Sequence, residues 1–165
     1  MPEAKRPPPV TPYLTVRGGK EAIDFYKKAF GARTARLMMA DDKQRVMHAS
    51  LTINGGMVML SDTFDEYADM GATKPPPEAG GASVTVHLDT DNVDRAWKKA
   101  VGAGAEIVMP LADMFWGDRY GVVRDPFGHV WSLASPVKKP AARAAAKPAA
   151  KKKAAKKKSA KKKKR

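Results

Sequence analysis

Lys27-Lys28-Ala29-Phe30-Gly31-Ala32 returns 71 residues later as Lys98-Lys99-Ala100-Val101-Gly102-Ala103. Gly56-Met57-Val58-Met59 returns more loosely, 72 residues on, as Gly128-His129-Val130-Trp131. Two separate matches at nearly one offset point to a duplicated supersecondary unit. In the first block a glycine closes an apolar stripe. Helices commonly end this way, because glycine accepts the left-handed backbone of the C-terminal cap without steric cost.

The rest of each copy is read outward from these blocks. Upstream of Gly31, Ala22, Ile23, Tyr26, Ala29 and Phe30 fall on one helical stripe, which predicts a helix over 19–30. Before it, 11–16 alternates as a strand. After it come strand segments at 33–40, 45–53 and 57–61, turned by Asp41-Asp42-Lys43-Gln44 and by Asn54-Gly55-Gly56. The second copy offers a strand at 83–89, a helix at about 92–102, and strands at 105–109, 119–124 and 129–134. Asp125-Pro126-Phe127-Gly128 is its last turn. The pattern is βαβββ, twice, within a domain spanning 11–137. Module one covers about 11–61 and module two about 83–137. The segment 62–82, with Pro75-Pro76-Pro77 and Gly80-Gly81, reads as a linker too turn-rich to be a core element. Residues 1–10 read as a proline-rich arm.

Charge separates the rest of the chain from this body. Residues 138–165 hold 15 of the 31 lysines and arginines and none of the 17 acids. The remaining 16 cations against 17 acids leave the body near −1. A basic fold spread over the whole chain is excluded, and the net +14 belongs to a Lys/Ala-rich tail. Closely spaced like charges and no apolar face predict a tail disordered when free. Such a tail resembles those of linker histones. Lysines bind phosphates as point charges without reading sequence, so it predicts non-specific binding to nucleic acid or another polyanion. The residues expected to do this are Lys151, Lys152, Lys153, Lys156, Lys157, Lys158, Lys161, Lys162, Lys163, Lys164 and Arg165. The alternative is an idle, solubilising extension. The absence of cysteine excludes a disulfide scaffold, a thiol nucleophile and thiolate metal sites. No apolar run reaches the ~20 residues of a transmembrane helix, and the first ten residues lack the apolar core of a secretory signal. The expected compartment is the cytoplasm, with nucleoid association through the tail.

Paired βαβββ units resemble the vicinal oxygen chelate superfamily of glyoxalases, bleomycin-resistance proteins and extradiol dioxygenases. Thr11-Pro12-Tyr13-Leu14-Thr15-Val16, AIDFYKKAFGA at 22–32, MHASL at 47–51, MLSDTF at 59–64 and MFWGDRYGVVRDPFGHVW at 114–131 are similar to its PhnB-like branch. The resemblance covers about 11–137 and implies an α+β fold. In it two βαβββ modules form a curved mixed sheet around a central cavity, with the helices outside. It also implies a frequent homodimer. In metal-using members the ligands would fall near Thr11, Leu60, Thr85 and Ser132. None of these is the His or Glu that binds a divalent cation tightly. The resemblance therefore implies a protein that binds an unidentified small molecule in its cavity without a cofactor. One alternative is a divalent metal serving a lyase, isomerase or dioxygenase. Another is an antibiotic-sequestering protein.

Strand alternation then predicts what faces the cavity. In 46–53, Met47, Ala49, Leu51 and Ile53 form the helix-facing side, leaving Val46, His48, Ser50 and Thr52 on the other. In 83–89, Val84, Val86 and Leu88 face the helix, leaving Thr85 and His87. The candidate ligand-binding residues are Tyr13, His48, His87, Trp116 and Arg119. Each has a plainer reading. A strand histidine commonly bonds a hydroxyl or carbonyl, and Arg119 can simply pair with a carboxylate. Asp118 and Asp125 are expected to bond backbone amides in turns, His129 to be structural beside Trp131, and Asp62 to be a solvated turn residue.

Overall fold

The computed structural model describes residue 8 and residues 10–137. The proposed polyanion-binding tail, Lys151 to Arg165 included, lies outside the described residues. Module one consists of β1 (Tyr13–Val16), α1 (Gly19–Phe30), β2 (Arg33–Met39), β3 (Val46–Ile53) and β4 (Gly56–Asp62). A 3-10 turn at Asp65–Met70 follows. Module two consists of β5 (Thr85–Asp89), α2 (Val93–Gly102), β6 (Glu106–Asp113), β7 (Asp118–Arg124) and β8 (Val130–Pro136). Each module is a four-stranded mixed sheet of one topology: β1-β4-β3-β2 and β5-β8-β7-β6. The first and last strands of each module run parallel, and the remaining pairs antiparallel.

The helices follow their sequence signals. Gly31 ends α1 in the left-handed region at φ 68°, its N–H bonded back to Lys27. Asn92 caps α2 by accepting from the Arg95 amide, which satisfies one of the free donors of a helix start. α1 buries Ala22, Ile23, Phe25, Tyr26 and Ala29. That is more than one stripe, because α1 meets two partners: its own sheet and α2 of the other module. Buried side chains of both modules merge into one core, including Val16, Leu51 and Leu60 from one sheet and Leu88, Trp131 and Leu133 from the other.

Aromatic packing and one carboxylate join the modules. Phe30 lies 4.5 Å and Tyr26 5.5 Å, ring to ring, from Trp131. Asp125, 3% exposed, is expected from sequence to bond backbone amides. It does accept the amides of Phe127 and His129 at 2.9 Å, and also the Trp131 indole and the Tyr26 hydroxyl of the opposite module. His129 donates its Nε2–H to the Thr15 carbonyl at 2.9 Å, so it too is a cross-module strut.

Three expectations need correction. Asp62 is not solvated. It is 5% exposed and accepts the amides of Gly18, Gly19 and Val46 at 2.7 to 2.9 Å. The approach depends on Gly19, where a Cβ would stand 2.6 Å from the Asp62 carboxylate and 2.7 Å from Val46. Val46, expected on the open face, is fully buried in the core, and Met47 is 40% exposed. The cause is a β-bulge: Met38 pairs with His48 but Met39 with Val46, so Met47 is the extra residue and alternation restarts there. Val84 precedes β5 and is 68% exposed instead of facing the helix.

Candidate functional site

We call the side of each sheet opposite the shared core its open face. In module one, β4 separates β1 from β3, and the Tyr13 ring crosses it. The Tyr13 hydroxyl lies 2.8 Å from His48 Nδ1, and His48 Nε2 lies 2.9 Å from Ser50 Oγ. A neutral imidazole has one N–H and one lone pair. Tyr13 can therefore donate to Nδ1 while Nε2–H donates to Ser50, or the whole chain can run in reverse. Burial, reinforced by the Arg36 guanidinium nearby, holds the His48 imidazole below its ordinary pKa. The neutral imidazole favoured there leaves one ring nitrogen to donate and the other to accept. Tyr13 remains half exposed.

Module two presents a related set. His87 Nδ1 lies 2.8 Å from Ser132 Oγ, and the imidazole stacks on Tyr120, 6.4 Å between centroids and 18° between planes. The Tyr120 ring meets Trp116 edge-on at 5.8 Å, and Trp116 meets Phe115 in turn. Phe115, at the tip of the β6–β7 hairpin, is wholly exposed.

The structure thus brings Tyr13 to His48 and Trp116, through Tyr120, to His87. Among the described residues no hydrogen bond or ring contact links the two sets. Arg119 belongs to neither. It pairs with Asp94 of α2 and Asp113 of β6, each at 2.9 Å, so its plainer reading describes its geometry. Tyr120 belongs to the FWGDRYG stretch read from the sequence but is not among the ligand-binding candidates, although alternation along β7 places it on the face of Ser132. Arg36 was missed as well, because no residue type in β2 marks the bulge that turns it.

Of the positions that the resemblance offers for a metal, Thr11, Leu60, Thr85 and Ser132, none carries a carboxylate or an imidazole. Leu60 is fully buried in the helix-facing core. Ser132 is occupied by His87, and Thr11 bonds the Pro8 carbonyl. Among the described residues no three His, Asp or Glu side chains converge. A groove of about 800 Å³ runs between the modules past Phe30, Asn54, Leu88 and Arg95, away from both histidine sets. A smaller hollow of about 480 Å³ contains Arg119.

The family model of the Glyoxalase/Bleomycin resistance protein/Dioxygenase superfamily matches residues 9–133. The chain belongs to that superfamily. An uncharacterized protein of Mycobacterium bovis is 46% identical over 133 residues, covering 80% of this chain and 86% of the relative. The crystal structure of TioX from Micromonospora sp. ML1 is similar at 30% identity and TM-score 0.56, over 76% of this chain and 93% of that one. A PhnB protein from Bacillus cereus is similar at 25% identity and TM-score 0.54, over 76% and 98%. Membership of the glyoxalase superfamily accounts for the α+β architecture of two four-stranded mixed sheets.

Proposed function

We propose that this glyoxalase-superfamily protein, of the PhnB-like branch, binds a small organic molecule against its open sheet faces without a metal ion. In this reading a second copy closes the site in a homodimer. The observation that carries it is the pair of hydroxyl–imidazole sets, Tyr13–His48–Ser50 and His87–Ser132, both on faces the core leaves open. Oriented hydroxyls and neutral imidazoles bordered by apolar side chains suit a polar ligand head and an apolar body. Exposed Met38 opposite His48, and exposed Trp116 edge-on to Tyr120, lie beside them, apolar surface that a covering partner would remove from water. Native mass spectrometry reads oligomer, metal and retained ligand together. The expected result is a dimer with far less than one transition metal per chain. Near-stoichiometric metal, lost in the His48→Ala/His87→Ala variant, would overturn the metal-free reading. A ligand bound equally well by that double variant would reduce both histidines to bystanders.

For the segment 138–165, we propose non-specific binding to nucleic acid or another polyanion. Its support is composition alone: 15 cations, no acid and no aromatic residue. Such a segment makes phosphate contacts and releases counterions without stacking on bases.

A further inference from the structure

A bulge in β2 decides where Arg36 points. Thr34 pairs with Leu51, and the next pair along is Arg36 with Ser50, so Ala35 is an extra residue. Directly opposed residues of an antiparallel pair project from the same side. Leu51 is fully buried in the core, whereas Ser50 bonds His48 on the open face. In an unbroken ladder Ala35 would face Ser50, and Arg36 would stand opposite the core residue Ala49. The inserted residue transfers a guanidinium from the helix side to the His48 side, a common use of bulges beside functional sites. Arg36 forms no ion pair with any described residue. None of the open-face positions of β1 to β4 carries an acid, and Arg33 opposite Thr52 adds a second cation there.

Module two repeats the bulge with different chemistry. Ile107 pairs with Val123 and Met109 with Val122, so Val108 is the extra residue. Met109 therefore occupies the place that Arg36 occupies in module one. In the same module Tyr120 stacks on His87 and meets Trp116 edge-on. The duplicated frame thus carries one cationic, hydrogen-bonding wall and one apolar, aromatic wall. We propose that the ligand bears one anionic group, a carboxylate or phosphonate, anchored by Arg36 beside His48 on the open face of module one. This rests on the proposal that the open faces bind a ligand. A guanidinium holds such oxyanions through paired, charge-assisted hydrogen bonds.

The test uses the full chain and site-specific NMR signals, so that anions gathered by the lysine-rich segment are not counted. 1-Naphthoate and phenylphosphonate are titrated against the neutral 1-naphthamide, following the imidazole resonances of His48. Both anions should shift these signals at concentrations at least ~10-fold below the amide, the scale of a charge-assisted hydrogen bond. Arg36→Gln should erase that preference while the amide still binds weakly, and Lys28→Gln on the exposed side of α1 should leave it intact. Equal binding of acid and amide, or a preference that survives Arg36→Gln, overturns the anion anchor and leaves the open-face site standing. Failure of all three probes to move His48 overturns the anchor for this ligand class. Failure of the open-face reading itself is separate: it appears when native mass spectrometry finds retained small molecules that still bind the double histidine variant.

Discussion

Asp62 and His48 are single residues whose environments make opposite demands. Asp62 accepts three backbone amides at the start of α1 and of β3. Replacing it by alanine strands those donors inside the protein. Asp62→Ala should cost about 3 kcal/mol or more, read as a lowered midpoint in urea unfolding. His48 is held neutral, its pKa below the ordinary 6.5 by burial and then by Arg36. The unfolded chain protonates this site first as pH falls. The stability tied to His48 is therefore complete above about pH 6.5 and declines between that value and the lower folded-state pKa. An imidazole titration by NMR should give an apparent pKa below 6.5, rising in Arg36→Gln. A His48 value at or above the ordinary one would contradict the geometry. Residue identity alone could not distinguish these cases. Asp62 looks like any aspartate after a strand until Gly18 and Gly19 are seen to bring a helix start against it.

Elements were far more legible. The α1 bounds follow from an apolar stripe ended by glycine, and α2 from a second copy of the same block. The two-module architecture was readable because the repeat fixed which turns correspond. What alternation could not supply was its own interruptions. Bulges at Ala35, Met47 and Val108 insert one residue each and reverse the side on which the next residues stand. Those reversals explain why Val46 and Met47 exchanged places and why Arg36 escaped notice. Nothing in the local composition demands a bulge there; it is imposed by fitting two twisted strands together. Close contacts between elements are equally invisible in sequence, and two glycines test them. A Cβ at Gly121 would stand 2.5 Å from the Trp97 ring of α2, and one at Gly19 would meet Asp62 and Val46. Alanine at either site should destabilise by about 1–3 kcal/mol through overpacking. Gly55→Ala is a useful contrast: its Cβ would meet nothing within 4 Å, so its penalty would come only from a backbone at φ 83°. Thermal unfolding of the three variants separates crowding from backbone strain.

At the scale of the molecule, the chain divides into a near-neutral folded body and a cationic segment with separate physics. Ending the chain after Val137 removes all 15 of the segment's cations and no large apolar side chain. The body should keep its unfolding midpoint. Duplex DNA binding should almost vanish. In the full chain, log affinity should fall linearly with log salt, by about 0.9 per phosphate neutralised, with little regard to DNA sequence. A truncated body that binds as tightly, or an affinity indifferent to salt, would sink the electrostatic account. Within the body, the modules should melt together because they share one core. Tyr26→Phe removes the hydroxyl that reaches Asp125 and should lower stability by about 1–2 kcal/mol without splitting the transition in two.

That Tyr26–Asp125 link spans 99 positions along the chain, and the timing of synthesis gives the distance a meaning. The aromatic side of α1 leaves the ribosome long before Phe127 and Trp131 exist to cover it. At roughly 5–20 residues per second, Phe25, Tyr26 and Phe30 wait about 5–20 s for their permanent neighbours. During that interval the first half of the protein is a nascent chain with an adhesive helix, the kind of surface that holdase chaperones recognise and that crowded polysomes cross-pair. Slowing translation between the two halves should therefore lower soluble yield, and supplying the second half in trans should restore it.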